Sequence, residues 1–494
     1  MEAVHEVSLM EMLDAREQRV LRQQALSEQY HCPMICFTMN IAGPIKNDAL
    51  IFRGFQYGKE RLRRALLREG LVPVHEEESV SPAGCEAYCL VDADPLRIKK
   101  MTAAIEDQDP MGRLFDLDVL YEEKPTAVES TDDGDNAPLL LHVEGGNGFS
   151  RDSTKMRNPA AVHMVKVDRQ EIGLPGRRCL ICGGPAKVCA RSRAHTVAAL
   201  QERTHEILRE TLDDADCEFI AQQACRALLY EVCTTPKPGL VDRRNTGSHR
   251  DMDLFTFVSS ASTLQPYFRA CVRIGLASAR ANETAADAFP RLRDAGKRAE
   301  EDMLAITNGV NTHKGAIFSM GILCAALGRV SPQERKEPDL VLAECAAMTE
   351  GLVERDYAGS AACGSMTAGQ QQYFEYGVTG VRGQAQAGFP AVLQAGLPTL
   401  EKGLAQGLTK DQAGTAAMLA ILAAMDDTNM IKRGGRREQL RRREEAAALL
   451  AKKPYPSEET LQALDDDYIR KNLSPGGSAD LLALCWMLVF MRGL

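Results

Sequence analysis

The chain is 494 residues long, which is enough for two or three domains that each bury a core. A formal charge of −9 argues against nucleic acid as the main partner, because duplex-binding proteins usually carry a basic face. The most apolar run, residues 481–491, is too short to span a bilayer, and fifteen cysteines without a secretion signal indicate a cytoplasmic protein with no membrane partner.

The first part of the chain mixes strand-like and helix-like patterns. The apolar pattern predicts strands at 34–40, 86–93 and 113–121. Helical spacing of apolar residues predicts a helix over 52–70. Strands alternating with helices favour an α/β domain, which we place at residues 1–205. Within it, residues 128–169 are rich in turn-forming residues and predict a surface insertion.

The second part of the chain is rich in alanine and has amphipathic segments with few β-branched runs. Helices are predicted at 214–233, 253–274, 315–328, 339–357, 411–425, 437–451, 458–471 and 478–492. We therefore expect an all-α domain at residues 206–494, with the boundary near 205–213.

Five polar, glycine-containing stretches interrupt the helical part: residues 235–253, 308–315, 377–390, 426–435 and 472–480. Helix connections need only a few residues, whereas these also supply Lys, Arg, Asp and His. Glycines allow close backbone approach, and helix starts attract anions, so a polyphosphate site is predicted. The candidate phosphate ligands are Lys237, Arg243, Lys314, Gly315, Arg382, Arg433, Gly434, Gly476 and Gly477.

Carboxylates in the same stretches are candidates for Mg²⁺, which prefers oxygen ligands. They are Asp242, Asp251, Asp426 and Asp427. Each stretch also has a structural alternative. TPKPG at 235–239 reads as an ordinary turn, and SPGGSAD at 474–480 reads as a loop with Ser478 as N-cap and Asp480 in the first helical turn. His249 and His313 have the alternative of packed or hydrogen-bonded side chains.

Residues 225–490 resemble the triphosphoribosyl-dephospho-CoA synthase family. The resemblance is carried by all five stretches in order, among them GVNTHKGAIFS at 309–319 and NLSPGGSADLL at 472–482. It implies that ATP and 3′-dephospho-CoA are joined with loss of adenine. The 2′-hydroxyl of dephospho-CoA would attack the anomeric carbon of the ATP ribose, and the triphosphate would remain intact.

The resemblance also suggests roles for individual residues. Lys314 and Arg382 would grip the triphosphate, and His313 would contact the sugar or the base. Asp242 and Asp427 would hold Mg²⁺ or act as the base. The chain departs from the family at Arg382-Gly383-Gln384-Ala385-Gln386, where the family usually has RGEAE, so it lacks the two carboxylates at that place.

Paired carboxylates mark the α/β part. Asp116 and Asp118 are two residues apart on a predicted strand, so they project to the same side and are candidates for Mg²⁺ during phosphoryl transfer. The alternative is a strand with an exposed acidic edge. Arg113 and Lys46 are candidate phosphate ligands. The stretch with Lys46, NIAGPIKND at 40–48, also reads as a Gly-Pro turn.

A cysteine-rich stretch at 177–195 has the spacing C-x2-C-x6-C-x5-H. Its ligands for a Cys₃His zinc site would be Cys179, Cys182, Cys189 and His195. The alternative is a set of reduced cysteines beside a basic loop, in which Arg191 and Arg193 contact phosphate.

Residues 5–200 resemble the holo-acyl-carrier-protein synthase of citrate lyase. The matching stretches include NIAGPIKN, MGRLFDLDVL and GLPGRRCLICGGPAKVCARSRAH. The resemblance implies a nucleotidyltransferase-like domain that transfers the triphosphoribosyl-dephospho-CoA group to a serine of the apo acyl carrier (gamma) subunit and releases pyrophosphate. Asp116 and Asp118 would then be the metal carboxylates. The insertion at 128–169 departs from the family.

Together these patterns predict a bifunctional transferase that makes and attaches the citrate lyase prosthetic group, with ATP, 3′-dephospho-CoA and the carrier subunit as its partners. One alternative is the same chemistry serving malonate decarboxylase, although the cysteine stretch at 177–195 favours citrate lyase. Another is a nucleotide-sensing protein without turnover. The enzymatic interpretation requires the polar stretches between 235 and 480 to converge on one cavity.

Overall fold

The computed structural model describes residues 5–122, 164–358 and 366–493. The chain divides into two compact units, Met1–Leu212 and Asp213–Leu494. Most of the predicted insertion at 128–169 lies outside the described residues. Its described end is not an irregular loop, because residues 164–166 form a strand.

The first unit contains an antiparallel sheet. Its described strands are β1 Met34–Met39, β2 Pro73–Ser81, β3 Gly84–Val91, β4 Phe115–Glu122 and β5 Met164–Lys166. They lie in the order β2-β3-β1-β4-β5, and each neighbouring pair is antiparallel. The predictions of β1, β3 and β4 are confirmed. Sequence patterns missed β2, because an edge strand with the acidic run Glu76–Glu78 does not look like a core strand.

Helices cover both faces of this sheet. The helices that begin in the first unit are α1 Leu9–Tyr30, α2 Ala49–Arg68, α3 Pro95–Asp107, α4 Ala186–Ser192 and α5 Val197–Cys233, and the unit boundary falls within α5. On one face α2 and α3 bury an aromatic cluster in which the ring of Phe37 lies 5.0 Å from Phe55 and 5.3 Å from Phe115. On the other face, Leu26 of α1 packs with Met34.

Where β5 does not pair with β4, buried side chains provide the hydrogen-bond partners of the β4 backbone. β5 pairs with residues 120–122 of β4. Earlier in the strand, the N–H of Leu117 donates to Oε1 of Glu106 at 2.8 Å, and Nζ of Lys99 donates to the carbonyl of Leu117 at 3.0 Å. Both side chains are buried, and these bonds satisfy the backbone of β4 without a neighbouring strand.

The second unit is built of helices and connecting loops in its described part. Its helices after α5 are α6 Leu254–Thr263, α7 Gln265–Arg280, α8 Ala285–Ile306, α9 Lys314–Arg329, α10 Pro338–Met348, α11 Leu352–Ala358, α12 Ala368–Tyr376, α13 Gly380–Gln386, α14 Leu397–Ala405, α15 Lys410–Ala424, α16 Thr428–Lys452, α17 Glu458–Arg470 and α18 Gly476–Arg492. The central helices α9, α15 and α18 are buried on nearly all sides, in keeping with their apolar sequences.

The helical character predicted for this part is confirmed. Sequence patterns missed α8 and α12–α14, although α8 has a clear apolar period in its buried residues Phe289, Leu292, Ala295 and Ala299. The predicted helix at 437–451 begins earlier, at Thr428, and α16 is broken at Gly435, which has a φ of 80°. Such a φ favours glycine, so the pair Gly434-Gly435 marks a change of helix direction. Within the described ranges, no helix has the length and apolar character needed to cross a membrane.

Candidate active sites

The polar stretches of the helical unit meet around one cavity of about 440 Å³, the helix-start cavity, where α9, α16 and α18 begin. Four of the five stretches contribute several lining residues each. Their polar and glycine members include Lys237, His249, Asp251, Asn311, Thr312, His313, Lys314, Gly315, Thr428, Asn429, Lys432, Arg433, Ser474, Gly476, Gly477 and Asp480. The fifth stretch contributes Val381.

This cavity has the features of an anion site. The first turn of each helix leaves backbone N–H groups without intrahelical partners and carries positive dipole charge. Three helices begin at its wall, and Lys314, Lys432 and Arg433 add side-chain charge. Asp427 already accepts from the N–H groups of Asn429, Met430 and Ser478. A polyphosphate would therefore find the other first-turn N–H groups, such as those of Gly315, Gly476 and Gly477, together with positive charge.

His313 is a buried, neutral side chain in the wall. The hydroxyl of Thr312 donates to Oγ of Ser260 at 2.8 Å, so the Ser260 hydroxyl is available to donate to Nδ1 of His313 at 2.7 Å. Burial and the nearby Lys237 lower the pKa of His313 to about 3. The proton then resides on Nε2, which is buried and has no hydrogen-bond partner among the described residues. His313 is therefore an N–H donor rather than a base.

Asp480 is a cavity carboxyl group that sequence reasoning assigned to an ordinary first helical turn. It accepts a hydrogen bond from the N–H of Ala316. Burial, with Glu231 and Asp427 close by, raises its pKa well above the usual range. Glu231 itself is buried in an ion pair with Lys237, and burial raises its pKa too. Only the packing of α18 against α9 gives Asp480 this environment, so no local sequence signal marks it.

Asp242 and Asp427 have structural contacts. Asp242 accepts from the N–H groups of Lys237, Arg244 and Asn245 at 2.7–3.0 Å, which shapes the turn. Asp427 is the N-cap of α16, and its Oδ2 accepts from the N–H and the hydroxyl of Ser478 at 2.8 and 3.0 Å. Both are buried, and neither is among the described residues that line the helix-start cavity. Asp251 and Asp480 are the aspartates in its wall.

Of the other predicted phosphate ligands, Lys314 and Arg433 line the helix-start cavity, whereas Arg243 and Gly434 do not. Nζ of Lys314 lies 2.7 Å from Glu300, and Arg433 donates to the carbonyl of Ser248 at 2.8 Å. The guanidinium of Arg243 pairs with Asp411 outside the cavity lining. Gly434 is also outside the lining; a Cβ atom there would lie 2.5 Å from a methyl group of Leu473, so tight packing excludes larger residues.

Arg382 lines a second cavity of about 440 Å³, the adjoining cavity. Its guanidinium is paired with Asp356 at 2.7 Å and lies over the ring of Tyr357. Arg293, paired with the same aspartate at 2.6 Å, belongs to the same wall. Lys314, the first residue of α9, lines both cavities.

In the first unit, a cavity of about 750 Å³ is lined by four arginines and is called the arginine cavity. The arginines are Arg113, Arg177, Arg178 and Arg193. The buried Glu106 in the same wall pairs with Arg177 and, at 2.9 Å, with Arg169. The predicted ligand Lys46 is not among the described lining residues; its Nζ donates to the carbonyl of Ile41 at 2.6 Å, as the turn alternative requires.

Asp116 and Asp118 project to the same face of β4, as the strand period predicts. Both side chains are partly exposed. Oδ1 of Asp116 lies 3.2 Å from a guanidinium nitrogen of Arg177, and Oδ1 of Asp118 lies 2.5 Å from Nζ of Lys166. Arg177 therefore connects the aspartate pair to the arginine cavity, where it also contacts Glu106.

The cysteine stretch gathers its four candidate ligands. One ligand atom each from Cys179, Cys182, Cys189 and His195 lies within 4.8 Å of the others. Burial acts against ionisation of Cys179, but the N–H groups of Cys182 and Ile181 outweigh it and lower the pKa of that thiol.

Two protein families match the chain in succession. The family described as "CitX: Apo-citrate lyase phosphoribosyl-dephospho-CoA transferase" matches residues 7–133 and 160–211. The family described as "CitG: ATP:dephospho-CoA triphosphoribosyl transferase" matches residues 217–494.

Relatives are similar over the whole length. "Protein CitXG" of Haemophilus influenzae is 33% identical over 501 residues, which cover 99% of this chain and 97% of the relative. "Protein CitXG" of Leuconostoc mesenteroides subsp. cremoris is 30% identical, with 99% and 98% covered. The 2-(5''-triphosphoribosyl)-3'-dephosphocoenzyme-A synthase of Pectobacterium atrosepticum is 40% identical over 270 residues, which cover 54% of this chain and 88% of the relative.

Two units with charged cavities, matched by two transferase families, define a bifunctional transferase. The chain belongs to the family that joins a CitX part to a CitG part, and it makes and attaches the prosthetic group of citrate lyase. The two family resemblances and the function predicted from the sequence are confirmed.

Proposed function

We propose that the helix-start cavity carries out the first reaction, in which ATP and 3′-dephospho-CoA form 2′-(5″-triphosphoribosyl)-3′-dephospho-CoA and adenine. The convergence of three helix starts with Lys314, Lys432 and Arg433 on one cavity carries this proposal. These groups bind the triphosphate, which stays intact during the reaction. The N–H of His313 donates to the ribose or to a phosphate oxygen.

Two carboxyl groups supply the proton transfers. The 2′-oxygen of dephospho-CoA forms a bond to the anomeric carbon of the ATP ribose as the bond from that carbon to adenine breaks. Burial raises the pKa of Asp480 and so favours its protonated form, which protonates the departing adenine. Asp251, in the same wall, takes the proton of the 2′-hydroxyl. A carboxylate at 384 or 386 is not needed. Gln384 and Gln386 instead accept backbone N–H groups of Ala391 and Val353.

The adjoining cavity binds dephospho-CoA. The reaction needs two large substrates whose reacting atoms meet, and Lys314 lines both cavities. Arg293 and Arg382 offer charge to the diphosphate of dephospho-CoA, while Tyr357 and Phe289 offer rings. Arg293→Ala should therefore raise the KM for dephospho-CoA and leave that for ATP unchanged, and Lys432→Ala should do the reverse. A shared rise in both KM values would contradict two separate subsites.

The first unit carries out the second reaction as a nucleotidyltransferase-like domain. The serine hydroxyl of the apo acyl carrier subunit attacks the α-phosphorus of the triphosphoribosyl group, and the bond from that phosphorus to the pyrophosphate breaks. The arginine cavity binds the negatively charged donor. Asp116 and Asp118, which project to one face of β4, would hold Mg²⁺, and the ion would neutralise charge on the departing pyrophosphate. The contact of Arg177 with Asp116 supports these two roles, because it joins the aspartate pair to the wall of the cavity that binds the donor.

A three-variant experiment tests the division of labour. The full chain is incubated with ATP and dephospho-CoA, adenine is quantified by chromatography, and loading of the apo carrier is followed by intact mass. Asp480→Asn keeps an acceptor for the N–H of Ala316, yet should lower adenine release by about 10²–10⁴-fold. Lys314→Ala should also impair this step, and both variants should load the carrier from preformed triphosphoribosyl-dephospho-CoA at the normal rate.

Asp116→Asn should show the opposite selectivity, with adenine release unchanged and carrier loading abolished. Asp411→Asn is the matched control, because Asp411 is an aspartate of the helical unit that pairs with Arg243 outside the described cavity lining. If one substitution stops both steps, the assignment of one reaction to each unit is wrong. A protein that binds ATP but never releases adenine would be a nucleotide sensor instead.

A further inference from the structure

The cysteine–histidine cluster of the first unit has the geometry of a metal site. Its four ligand atoms lie within 4.8 Å of one another, and Sγ of Cys182 is 3.4 Å from Sγ of Cys189. In a tetrahedral site with Zn–S bonds of about 2.3 Å, neighbouring sulfurs are about 3.8 Å apart. The cluster is therefore close to the dimensions that a bound zinc ion requires.

The local backbone is folded so that these ligands meet. Cys179 and Cys182 flank a tight turn, in which the N–H of Cys179 donates to the carbonyl of Gly184 at 2.6 Å and Gly183 returns a bond to Cys179 at 3.1 Å. Cys189 follows on α4. That helix ends at Ser192, and the next residue, Arg193, has a φ of 49°, which turns the chain back and brings His195 to the cysteines.

His195 supplies an independent observation. Its Nε2 atom is buried and has no hydrogen-bond partner among the described residues. Native structures rarely keep a buried polar nitrogen without a partner, because such an atom has lost its hydrogen bonds to water without replacement. A metal ion among the three thiols would provide the missing partner. A nearby acid or hydroxyl would also satisfy this nitrogen, but the neighbouring ligand atoms are sulfurs.

We propose that Cys179, Cys182, Cys189 and His195 bind one Zn²⁺ ion in a closed, structural site. Three thiolates and one imidazole form a soft, tetrahedral donor set, which selects zinc over magnesium or calcium. With four protein ligands the site has no open position for substrate, so its role is to hold the fold.

The site stabilises the wall of the arginine cavity. Cys179, Cys189 and His195 line that cavity together with Arg177, Arg178 and Arg193. The segment of residues 177–195 is short and is bridged to itself between Arg178 and Pro185, so the zinc ligands and the arginines move together. The binding of zinc does not depend on the proposed transfer reaction; only the effect on carrier loading rests on it.

The test begins with the full-length protein purified under reducing conditions. Elemental analysis should find one zinc per chain, and Co²⁺ exchanged into the site should show the intense visible bands of tetrahedral thiolate coordination. Cys182→Ser should lose the stoichiometric zinc and destabilise the first unit, whereas Cys233→Ser, a half-buried thiol outside the cluster, should retain it. Carrier loading should fall with the zinc, and adenine release should not.

X-ray absorption at the zinc edge of the wild-type protein covers the case in which Cys182→Ser does not fold. The expected shell is three sulfurs at about 2.3 Å and one nitrogen at about 2.0 Å. Three results would overturn the proposal. They are a shell of oxygen and nitrogen alone, a disulfide between Cys182 and Cys189 in protein purified under reducing conditions, and equal zinc content in the two serine variants. If the wild-type protein binds zinc but the zinc-free protein loads the carrier at the same rate, only the stabilising role is refuted.

Discussion

Gly315→Ala tests the contact between the start of α9 and Asp480. Gly315 is the second residue of α9, where alanine normally stabilises a helix by about 0.5–1 kcal/mol relative to glycine. Here a Cβ atom would lie 2.9 Å from Cγ of Asp480 and closer still to its Oδ2. Because non-bonded carbons pack at about 3.5–4.0 Å, the carboxyl group must move by roughly 1 Å.

This displacement has consequences for stability and for rate. Moving Asp480 weakens its bond to the buried N–H of Ala316, and a buried donor without an acceptor costs about 1–3 kcal/mol. After the helix gain is subtracted, we expect a net loss of roughly 1–2 kcal/mol in the free energy of unfolding. A catalytic group misplaced by about 1 Å lowers the rate about 100-fold, so adenine release should fall by at least about that factor.

Both quantities are measurable in the full chain. Trp486 is the one tryptophan of the sequence and is buried in the helical unit, so its fluorescence in urea reports the unfolding of that unit. Gly369→Ala is the matched control: Gly369 is also the second residue of its helix, α12, but its Cβ would lie 3.9 Å from the hydroxyl of Tyr357. Normal adenine release and raised stability in Gly315→Ala would refute the reasoning.

Three further substitutions test buried charges and caps. His313→Gln should remove a pH-dependent contribution to the free energy of unfolding. The pKa of His313 is about 3 in the folded state and 6.5 in the unfolded state, so the unfolded state takes up the proton first as the pH falls. From pH 7 to pH 5 the wild-type free energy of unfolding should therefore drop by about 2 kcal/mol more than that of the variant, as measured by urea titration of Trp486 fluorescence. Glu106→Ala should lower the free energy of unfolding by about 3–5 kcal/mol, because Arg169, Arg177 and the Leu117 N–H lose their partner. Hydrogen exchange at the β4 amides measures this loss. As a control, Glu60→Ala, at a partly exposed side chain, should change the free energy of unfolding by no more than about 0.5 kcal/mol. Asp427→Ala should lower the free energy of unfolding by about 2–4 kcal/mol, because the cap is lost and the Ser478 N–H loses its acceptor. In Asp427→Asn, adenine release titrated with Mg²⁺ should follow the wild-type curve; a shifted curve would support the metal role that the sequence suggested.

Much of the fold was readable from local patterns. Strand alternation indicated β1, β3 and β4, and helical spacing indicated most of the helical unit. The failures also have local causes. β2 is an edge strand whose charged face meets solvent, so its composition does not look like a strand. The end of the expected insertion joins the sheet as β5 through backbone hydrogen bonds to β4, which carry no sequence signature.

The polar stretches also indicated which loops face a ligand, because a helix connection does not require glycine, lysine and arginine together at the start of a helix. What each side chain does there is a different matter. Asp242 and Asp427 read as metal ligands, yet their oxygens accept N–H groups that only the folded turns and α18 provide. The sequence pattern assigned Asp480 to an ordinary first helical turn, yet its carboxyl group packs against Gly315 of α9 in the cavity wall.

The sequence alone determined most of the secondary structure, the family and the set of loops that meet at the cavities. The tertiary structure decided that Arg382 lines a second cavity, that Arg177 connects Asp116 to the arginine cavity, and that His195 returns to the cysteines. The reason is physical: periodicity and capping depend on neighbours a few residues away, whereas burial and pairing depend on residues far apart in the chain that meet only when the helices and strands pack.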